Sequence, residues 1–353
     1  MDFILVDTNQ KLAEQIALWK KESILAIDLE CENNLHYYGS YISIIQISSK
    51  TQNWIVDVLS LQKQHCDFTQ LCDVLTDSAI LKLFHDVDFD FRVLHSEFGI
   101  KPSPIFDSKV AAHLLGKTEV GLGSLLLEYF GITKQKKFQR ADWTKRPIRK
   151  DMLSYAMIDT AYLISLYEKL VKELKDKDRY EWALEEFESF ASKEFIQKIP
   201  HFKEMKGIYK LSPQQLGVFK ELFELREHFA KKVNRPVHFI LRNALLFELS
   251  QESPQKNFFE SVRGVHPIVK KEAHAFEKAI QKGLENPIHL ERPKRKSLNQ
   301  EQKKSLDTFL QKRDTVAHKL EIQPSILATK DQLLHFVIGD NTLKKWQKDV
   351  LGL

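Results

Sequence analysis

The chain has few of the residues that stabilise small secreted proteins or interrupt regular structure. Its 353 residues include three cysteines, 12 glycines and 11 prolines. Cys31, Cys66 and Cys72 form no C-x-x-C pair and are odd in number, so the sequence indicates neither a zinc site nor a disulfide framework. The scarcity of glycine and proline favours a protein rich in helix.

Long apolar runs are also missing. No stretch approaches the roughly 20 apolar residues that a membrane-spanning helix needs. The N-terminus, MDFILVD, has an acid where a secretory signal would be positively charged, and its apolar run is too short for one. We therefore expect a cytoplasmic protein with no membrane partner; the sequence leaves its protein partners unknown.

Length and net charge exclude few kinds of protein. A chain of 353 residues predicts two or three domains, each able to bury a core. The excess of 53 basic over 48 acidic residues gives a net charge of +5, which is a weak indication of a nucleic-acid partner.

The order of predicted elements divides the chain into an α/β part and a helical part. Runs rich in β-branched and aromatic residues predict strands that begin the chain, and helical spacing dominates after Gly121. Three of the strands are separated by short polar turns, which favours an antiparallel meander. The predicted strands are residues 24–29, 41–48, 53–58 and 80–84, and helices are predicted over residues 88–97 and 107–115.

The helical part contains a faint internal repeat. Arg226 and Ala230 match Arg313 and Ala317 in spacing, with a proline at nearly the same later position in each copy. A repeat of this kind suggests duplicated small helical modules. A basic, proline-containing stretch at residues 291–297 separates the two copies. We expect domains at residues 1–205, 208–291 and 297–353.

Two acids follow the apolar run of the first long strand. In SILAIDLECENN, Asp28 and Glu30 are two residues apart on a predicted strand and so share one face. Two acids that face the same way near a core repel each other and are costly to desolvate. A divalent cation would remove that cost, although acids at the end of a strand are also common without one.

A second acidic cluster begins a predicted helix. In LFHDVDFDFRVL, Asp86 and Asp88 fit the capping and first-turn positions that aspartate favours. Asp90 lies deeper, between Phe89 and Phe91, where capping does not explain an acid.

A third pattern lies in MLSYAMIDTAYL. Tyr155 and Asp159 are four residues apart on a predicted helix, so they project from one face. An amphipathic helix with a tyrosine at the rim of the core would explain this pattern without any chemistry.

Together, these motifs carry a resemblance to a known family. The order D-x-E, then aspartate, then Y-x-x-x-D resembles the DEDD exonucleases of the tyrosine subgroup, and among them ribonuclease D. The stretches SIIQIS, FDSKVAAHLLG, GLGSLLLEYFGI and DWTKRP resemble ribonuclease D as well. Residues 211–290 resemble the HRDC domain shared by ribonuclease D and RecQ helicases, and residues 298–353 resemble a second, divergent copy.

The resemblance implies the fold and the site. It implies an α/β ribonuclease H-like exonuclease domain, with a mixed central sheet flanked by helices, followed by two all-α HRDC-like modules. It implies a site of two Mg²⁺ or Mn²⁺ ions, since hard cations prefer oxygen ligands. Tyr155 would orient the attacking water. The implied ligands are Asp28, Glu30, Asp90 and Asp159.

The implied function is 3′→5′ hydrolysis of RNA from its 3′ end, releasing nucleoside 5′-monophosphates, with tRNA precursors as substrates. The stretch from Lys134 to Lys150 holds eight basic residues against one acid, which predicts a surface for the phosphate backbone. Phe138 and Trp143 within it could stack on bases or belong to the core. The predicted RNA contacts are His85, Lys136, Lys137 and Arg140.

Two alternatives remain open at the level of sequence. A 3′→5′ DNA exonuclease would use the same carboxylates, and no spacing in the sequence distinguishes RNA from DNA. A non-catalytic RNA-binding protein on a nuclease scaffold is the other alternative, and the complete set of four acids with Tyr155 argues against it.

Overall fold

A computed structural model describes residues 2–135, 137–195, 200–252, 254, 257–292, 298–340 and 342–353. The strands are β1 Ile4–Val6, β2 Ile24–Asn33, β3 Ser40–Ser48, β4 Asn53–Asp57, β5 Leu81–Phe84 and β6 Ile105–Asp107. The helices around them are α1 Asn9–Trp19, α2 Val58–Lys63, α3 Thr69–Thr76, α4 Asp88–Phe98, α5 Ser108–Leu114, α6 Leu122–Phe130, α7 Lys150–Ala161, α8 Leu163–Asp176 and α9 Tyr180–Ser192.

The remaining helices follow residue 200. Two short 3₁₀ helices, Phe202–Glu204 and Ile208–Lys210, come first. The α-helices are α10 Pro213–Lys232, α11 Val237–Ile240, α12 Asn243–Gln251, α13 Phe258–Ser261, α14 Pro267–Lys271, α15 Ala273–Glu285, α16 Gln300–Lys319, α17 Pro324–Leu327, α18 Lys330–Val337 and α19 Lys345–Leu351.

The strands form one mixed sheet in the order β1-β4-β3-β2-β5-β6. β3 and β4 pair antiparallel, whereas β1 with β4, β2 with β5 and β5 with β6 pair parallel. The predicted mixed sheet with flanking helices, followed by a helical region, is therefore confirmed. β1 was not predicted, because a three-residue strand at the edge of a sheet leaves too short a pattern to recognise.

Both faces of the sheet are covered, as alternate residues of its central strands show. Ile45 and Ile47 of β3 belong to the main core, whereas Ile44 belongs to a second cluster on the opposite face with Met152 and Tyr155. This alternation follows from the two-residue period of a strand. The strands that carry the predicted site are thus held from both sides.

The described chain divides into two compact units. The first unit contains most of the sheet, its helices and residues 298–353. The second contains residues 200–292 and residues 32–41, which include the end of β2 and the start of β3. In the second unit, the hydroxyl of Tyr38, at the tip of the β2–β3 hairpin, donates to Glu227 Oε2 at 3.2 Å. The three boundaries expected from the sequence stay predictions.

Residues 298–353 share the core of the first unit. The backbone amides of Lys345 and Trp346 donate to the carboxylate of Glu185 on α9, at 2.6 and 2.8 Å. The Trp346 ring stacks on Trp182 with centroids 5.0 Å apart. A helix N-terminus presents unpaired amides, so the acid on α9 satisfies the first turn of α19.

The internal repeat recurs in the structure. Both α10 and α16 have 20 residues and begin with a capping box. Arg226 donates to the carbonyl of Leu241, and Arg313 donates to the carbonyl of Ala328, each 15 residues further on. Such equivalent contacts support a structural duplication, and the assignment of the second copy as an HRDC-like domain stays a prediction.

Among the described residues, none of the helices is both long and apolar enough to cross a membrane.

Close packing of α10 against α15 generates a stability prediction. A Cβ placed on Gly283 would meet the backbone of Gly217 and Val218 well inside van der Waals distance. We expect Gly283→Ala to lower the free energy of unfolding by at least about 2 kcal/mol, because the two helices would have to separate. Thermal or urea unfolding measures this. The matched control is Gln281→Ala, on the exposed face of α15. Equal stability of the two variants would contradict the predicted close approach.

Candidate active site

β2 carries the first two acids inside the sheet. The strand was predicted to end at residue 29, and this was wrong, since β2 continues to Asn33. The charged and amide residues after Leu29 are disfavoured in strands, and the pairing of β2 with its neighbours overrides that preference. Asp28 and Glu30 therefore lie within the strand, and they share one face as predicted.

The loop between β5 and α4 carries the second motif, and Asp107 organises it. The buried Asp107 carboxylate accepts hydrogen bonds from the backbone amides of Asp86 and Val87, at 3.2 and 2.9 Å. The same carboxylate caps α5 by accepting from the amides of Lys109 and Val110. Asp107 thus fixes the turn that leads into α4. This role was not predicted from the sequence, although an aspartate between a strand and a helix is a capping signal.

The three acids of the second motif have separate environments. Asp86 is exposed and pairs with Lys109, at 2.6 Å. Asp88, whose side chain is 35% exposed, pairs with Arg92 and with Lys193. Asp90, by contrast, is only 6% exposed. Of the three acids, Asp90 alone is held inside the fold without a surface ion pair in the described structure.

α7 presents the third motif. Tyr155 and Asp159 are buried one turn apart on this helix. The hydroxyl groups of Thr160 and Ser48, the latter at the end of β3, are 2.7 Å apart and tie α7 to the sheet. Both buried side chains therefore have fixed positions relative to the central strands.

Aromatic side chains of the basic stretch form one wall of the site. Phe138 and Trp143 are both buried and lie against Tyr155, with ring centroids 5.5 and 6.5 Å from the Tyr155 ring. Of the two alternatives left open for these aromatics, the structure supports a core role. They hold Tyr155 in place.

Three of the four predicted metal ligands converge. One carboxylate oxygen from each of Asp28, Glu30 and Asp159 lies within 4.8 Å of the other two. Asp90 is not in this group, yet it is close enough for Asp28 and Glu30 to affect its pKa. The convergent donors are all carboxylate oxygens, which suits a hard divalent cation such as Mg²⁺ or Mn²⁺.

Burial and the neighbouring acids make ionisation of the site carboxyl groups less favourable. Burial raises the pKa of Asp28 well above its usual range, and the nearby Asp159 raises it further. Burial likewise raises the pKa of Glu30, followed by the charges of Asp28 and Asp159, and it raises the pKa of Asp90 with Asp28 as the next cause. A bound divalent cation would reverse this balance, because it favours the charged carboxylates.

The Tyr155 phenol is protonated at physiological pH and can donate a hydrogen bond. Burial, with the charge of Asp159 next, raises the pKa of Tyr155 to about 12. The phenol therefore keeps its proton, which agrees with orientation of a water and not with proton abstraction.

Lys134, which was not predicted as a site residue, enters the site. Lys134 Nζ hydrogen-bonds to Asp159 Oδ1 and lies 5.1 Å from the centre of the Tyr155 ring. It was missed because a lysine in a basic stretch normally indicates a solvated surface. Only the fold shows that the loop after α6 turns this side chain inward.

His85, at the end of β5, is a neutral imidazole. Its Nδ1 lies 2.9 Å from the hydroxyl of Ser108, which itself donates to the carbonyl of Phe84 at 3.1 Å. Since the serine has one proton to donate, the imidazole must donate through Nδ1. Burial lowers the pKa of His85 to about 4.

Most basic residues of the stretch after α6 have acidic partners. Lys137 lies 3.7 Å from Asp151, and Arg146 forms a buried pair with Asp57 at 2.7 Å. Arg140 is exposed. Lys136, another predicted RNA contact, lies outside the described residues. The stretch is thus partly neutralised, and its role as a phosphate surface stays a prediction.

Two parts of the chain match known protein families. Residues 3–175 match the sequence model of a family described as 3′-5′ exonuclease, and residues 215–272 match that of the HRDC domain.

Three known proteins illustrate the likeness. Exosome complex component 10 of Mus musculus is 31% identical over 301 residues, covering 80% of this chain and 32% of that protein. Ribonuclease D of Pseudomonas paraeruginosa is 29% identical over 263 residues, covering 73% of this chain and 68% of that protein. The crystal structure of Escherichia coli RNase D, an exoribonuclease involved in structured RNA processing, is 22% identical with a TM-score of 0.75, covering 100% of this chain and 97% of that one.

These matches support different conclusions about the chain. The chain spans about a third of the length of the mouse relative. The likeness to the Escherichia coli structure shows the fold. The two matched domains and the curated ribonuclease D relatives show the family. The chain belongs to the ribonuclease D family of 3′-5′ exonucleases, in which a nuclease domain precedes an HRDC domain.

Proposed function

We propose that this protein is a metal-dependent 3′→5′ exoribonuclease that removes nucleotides one at a time from RNA 3′ ends. The observation that carries the proposal is the convergence of Asp28, Glu30 and Asp159 beside a protonated Tyr155. Carboxylates this close are destabilising unless a cation accompanies them. Their presence in a chain whose residues 3–175 match a 3′-5′ exonuclease family therefore supports metal-assisted phosphodiester hydrolysis.

The family's dependence on divalent metal fits these ligands. We assign Asp28, Glu30, Asp159 and Asp90 as the residues that hold two Mg²⁺ or Mn²⁺ ions. Asp90 is the one ligand outside the convergent group of three. When bound, such a pair stabilises the negative charge that develops on the attacking and leaving oxygens. Asp28 would be the most central of these ligands, since its charge raises the pKa of both Glu30 and Asp90.

The remaining side chains position the reactants. The Tyr155 hydroxyl orients a water for attack on the last phosphodiester, since its raised pKa keeps the phenol protonated. The bond between phosphorus and the 3′ oxygen breaks, and the 3′ oxygen takes up a proton. The products are a nucleoside 5′-monophosphate and a chain shortened by one nucleotide.

RNA is the proposed substrate because the curated bacterial relatives carry the name ribonuclease D. We extend this to structured RNA 3′ ends such as those of tRNA precursors. The HRDC domain would add contacts to the RNA. Candidate contacts beside the site are His85, Lys136, Lys137 and Arg140.

A digestion series tests the proposed activity. With RNA labelled at its 5′ end, Mn²⁺ or Mg²⁺ should produce a ladder that shortens with time, and 3′-labelled RNA should release labelled mononucleotide at once. Excess chelator should abolish both. Rapid trimming of a matched DNA with RNA untouched would favour the DNA exonuclease, and binding of RNA without cleavage would favour a non-catalytic protein.

Two aspartates at the start of α4 provide a matched pair for the ligand assignment. We expect Asp90→Asn to lower kcat by at least about 100-fold, because a buried ligand charge is lost. Asp88→Asn should keep activity within about threefold, since exposed ion pairs contribute little. Comparable losses in the two variants would contradict the assignment of Asp90.

Removal of metal should reveal the cost of the clustered charges. A raised carboxyl pKa in the folded state contributes stability that is present below the unfolded pKa near 4 and is lost as the pH rises. In chelator at pH 7, Asp28→Asn should therefore raise the free energy of unfolding, because the amide has no charge to bury beside Asp159. This gain should shrink towards pH 4. Urea unfolding measures it, and a variant less stable than wild type at pH 7 would refute the electrostatic account.

A further inference from the structure

Lys134 has an unusual position for a lysine. Its side chain is 15% exposed, although lysine is mostly exposed in folded proteins. Its ammonium hydrogen-bonds to Asp159 Oδ1 and lies over the face of Tyr155. The residue that it contacts is one of the three convergent carboxylates.

Other basic residues of the same stretch do not share this position. Among the described residues from 134 to 150, Lys137 and Arg149 pair with Asp151, and Arg146 pairs with Asp57. These acids lie outside the convergent group. Lys134 is thus distinguished by its partner and not by its charge alone.

The ammonium partly offsets the repulsion within the site. It lowers the pKa of Asp28, Glu30 and Asp159 against the larger effect of burial. A single positive charge therefore already does part of what a divalent ion would do for these carboxylates.

The same contact opposes a divalent ion. An ion held by Asp28, Glu30 and Asp159 would need the same Asp159 carboxylate that binds the Lys134 ammonium. Two cations so close repel each other strongly at the effective dielectric constant of a partly buried site. Either the lysine side chain leaves Asp159 or the ion binds more weakly, and both effects reduce the apparent affinity for metal.

We propose that Lys134 competes with the divalent ion for the site. Its ammonium binds Asp159 and stabilises the carboxylate cluster, so the protein binds metal more weakly than it would with the carboxylates alone. This inference rests on the metal site of the proposed function. It makes Lys134 a positioning residue of the site whose removal strengthens metal binding, which is opposite to the effect of removing a ligand.

The test is Mn²⁺ binding to the full chain, measured by electron paramagnetic resonance of free Mn²⁺ and by calorimetry. We expect Lys134→Met and Lys134→Gln each to lower the Kd for Mn²⁺ by about tenfold or more, because the competing charge is gone. Lys134→Arg keeps the charge and should stay within about threefold of wild type. Lys137→Met, which removes a neighbouring exposed lysine, is the matched control and should also stay near wild type.

A second readout separates competition from loss of structure. In excess chelator, Lys134→Met should unfold at a lower temperature than wild type, whereas Lys137→Met should not. With saturating Mn²⁺, the deficit of Lys134→Met should disappear. A merely structural role for Lys134 would leave the deficit unchanged by metal, and that result would overturn the inference.

The outcomes also distinguish this inference from the proposed function. If wild type binds Mn²⁺ and Asp28→Asn does not, while both neutral variants at position 134 keep the wild-type Kd, the metal site stands and the competition is overturned. Weaker binding in both neutral variants would overturn it as well. Absence of Mn²⁺ binding in wild type would overturn both proposals.

Discussion

Mutual repulsion among clustered carboxylates is the constraint on which this site depends. Asp28, Glu30 and Asp159 have oxygens within 4.8 Å of one another. Burial raises the pKa of all three, and neighbouring acids raise the pKa of Asp28 and Glu30 further. Such an arrangement opposes folding unless its elements are held rigidly and a cation accompanies the acids. Lys134 supplies one positive charge from the chain, and the family's divalent metal would supply the rest.

Rigidity comes from where the sheet places the motifs. β2 lies between β3 and β5, with Leu25, Ala26 and Ile27 fully buried before the first acid. α7 is tied to β3 through Thr160, and Asp107 holds the turn before α4 by two backbone amides, those of Asp86 and Val87. Each acid therefore sits on an element fixed by the core, as a preorganised site requires.

Sequence patterns predicted the parts of the site that local periodicity determines. The two-residue spacing of Asp28 and Glu30 and the four-residue spacing of Tyr155 and Asp159 fix which side chains share a face. The position of Lys134 in the site and the continuation of β2 beyond Leu29 could not be predicted from local patterns. Both depend on how a loop and a hairpin pack against distant elements. The burial that separates Asp90 from Asp88 is likewise tertiary, although the resemblance to the family had already selected Asp90.

Anomalous scattering from Mn²⁺-soaked crystals would show whether these carboxylates bind metal. We expect an anomalous peak within coordination distance of Asp28, Glu30 and Asp159, with the Lys134 side chain moved away from Asp159. A protein saturated with Mn²⁺ that shows no peak at these carboxylates, or shows its peaks elsewhere, would contradict the account.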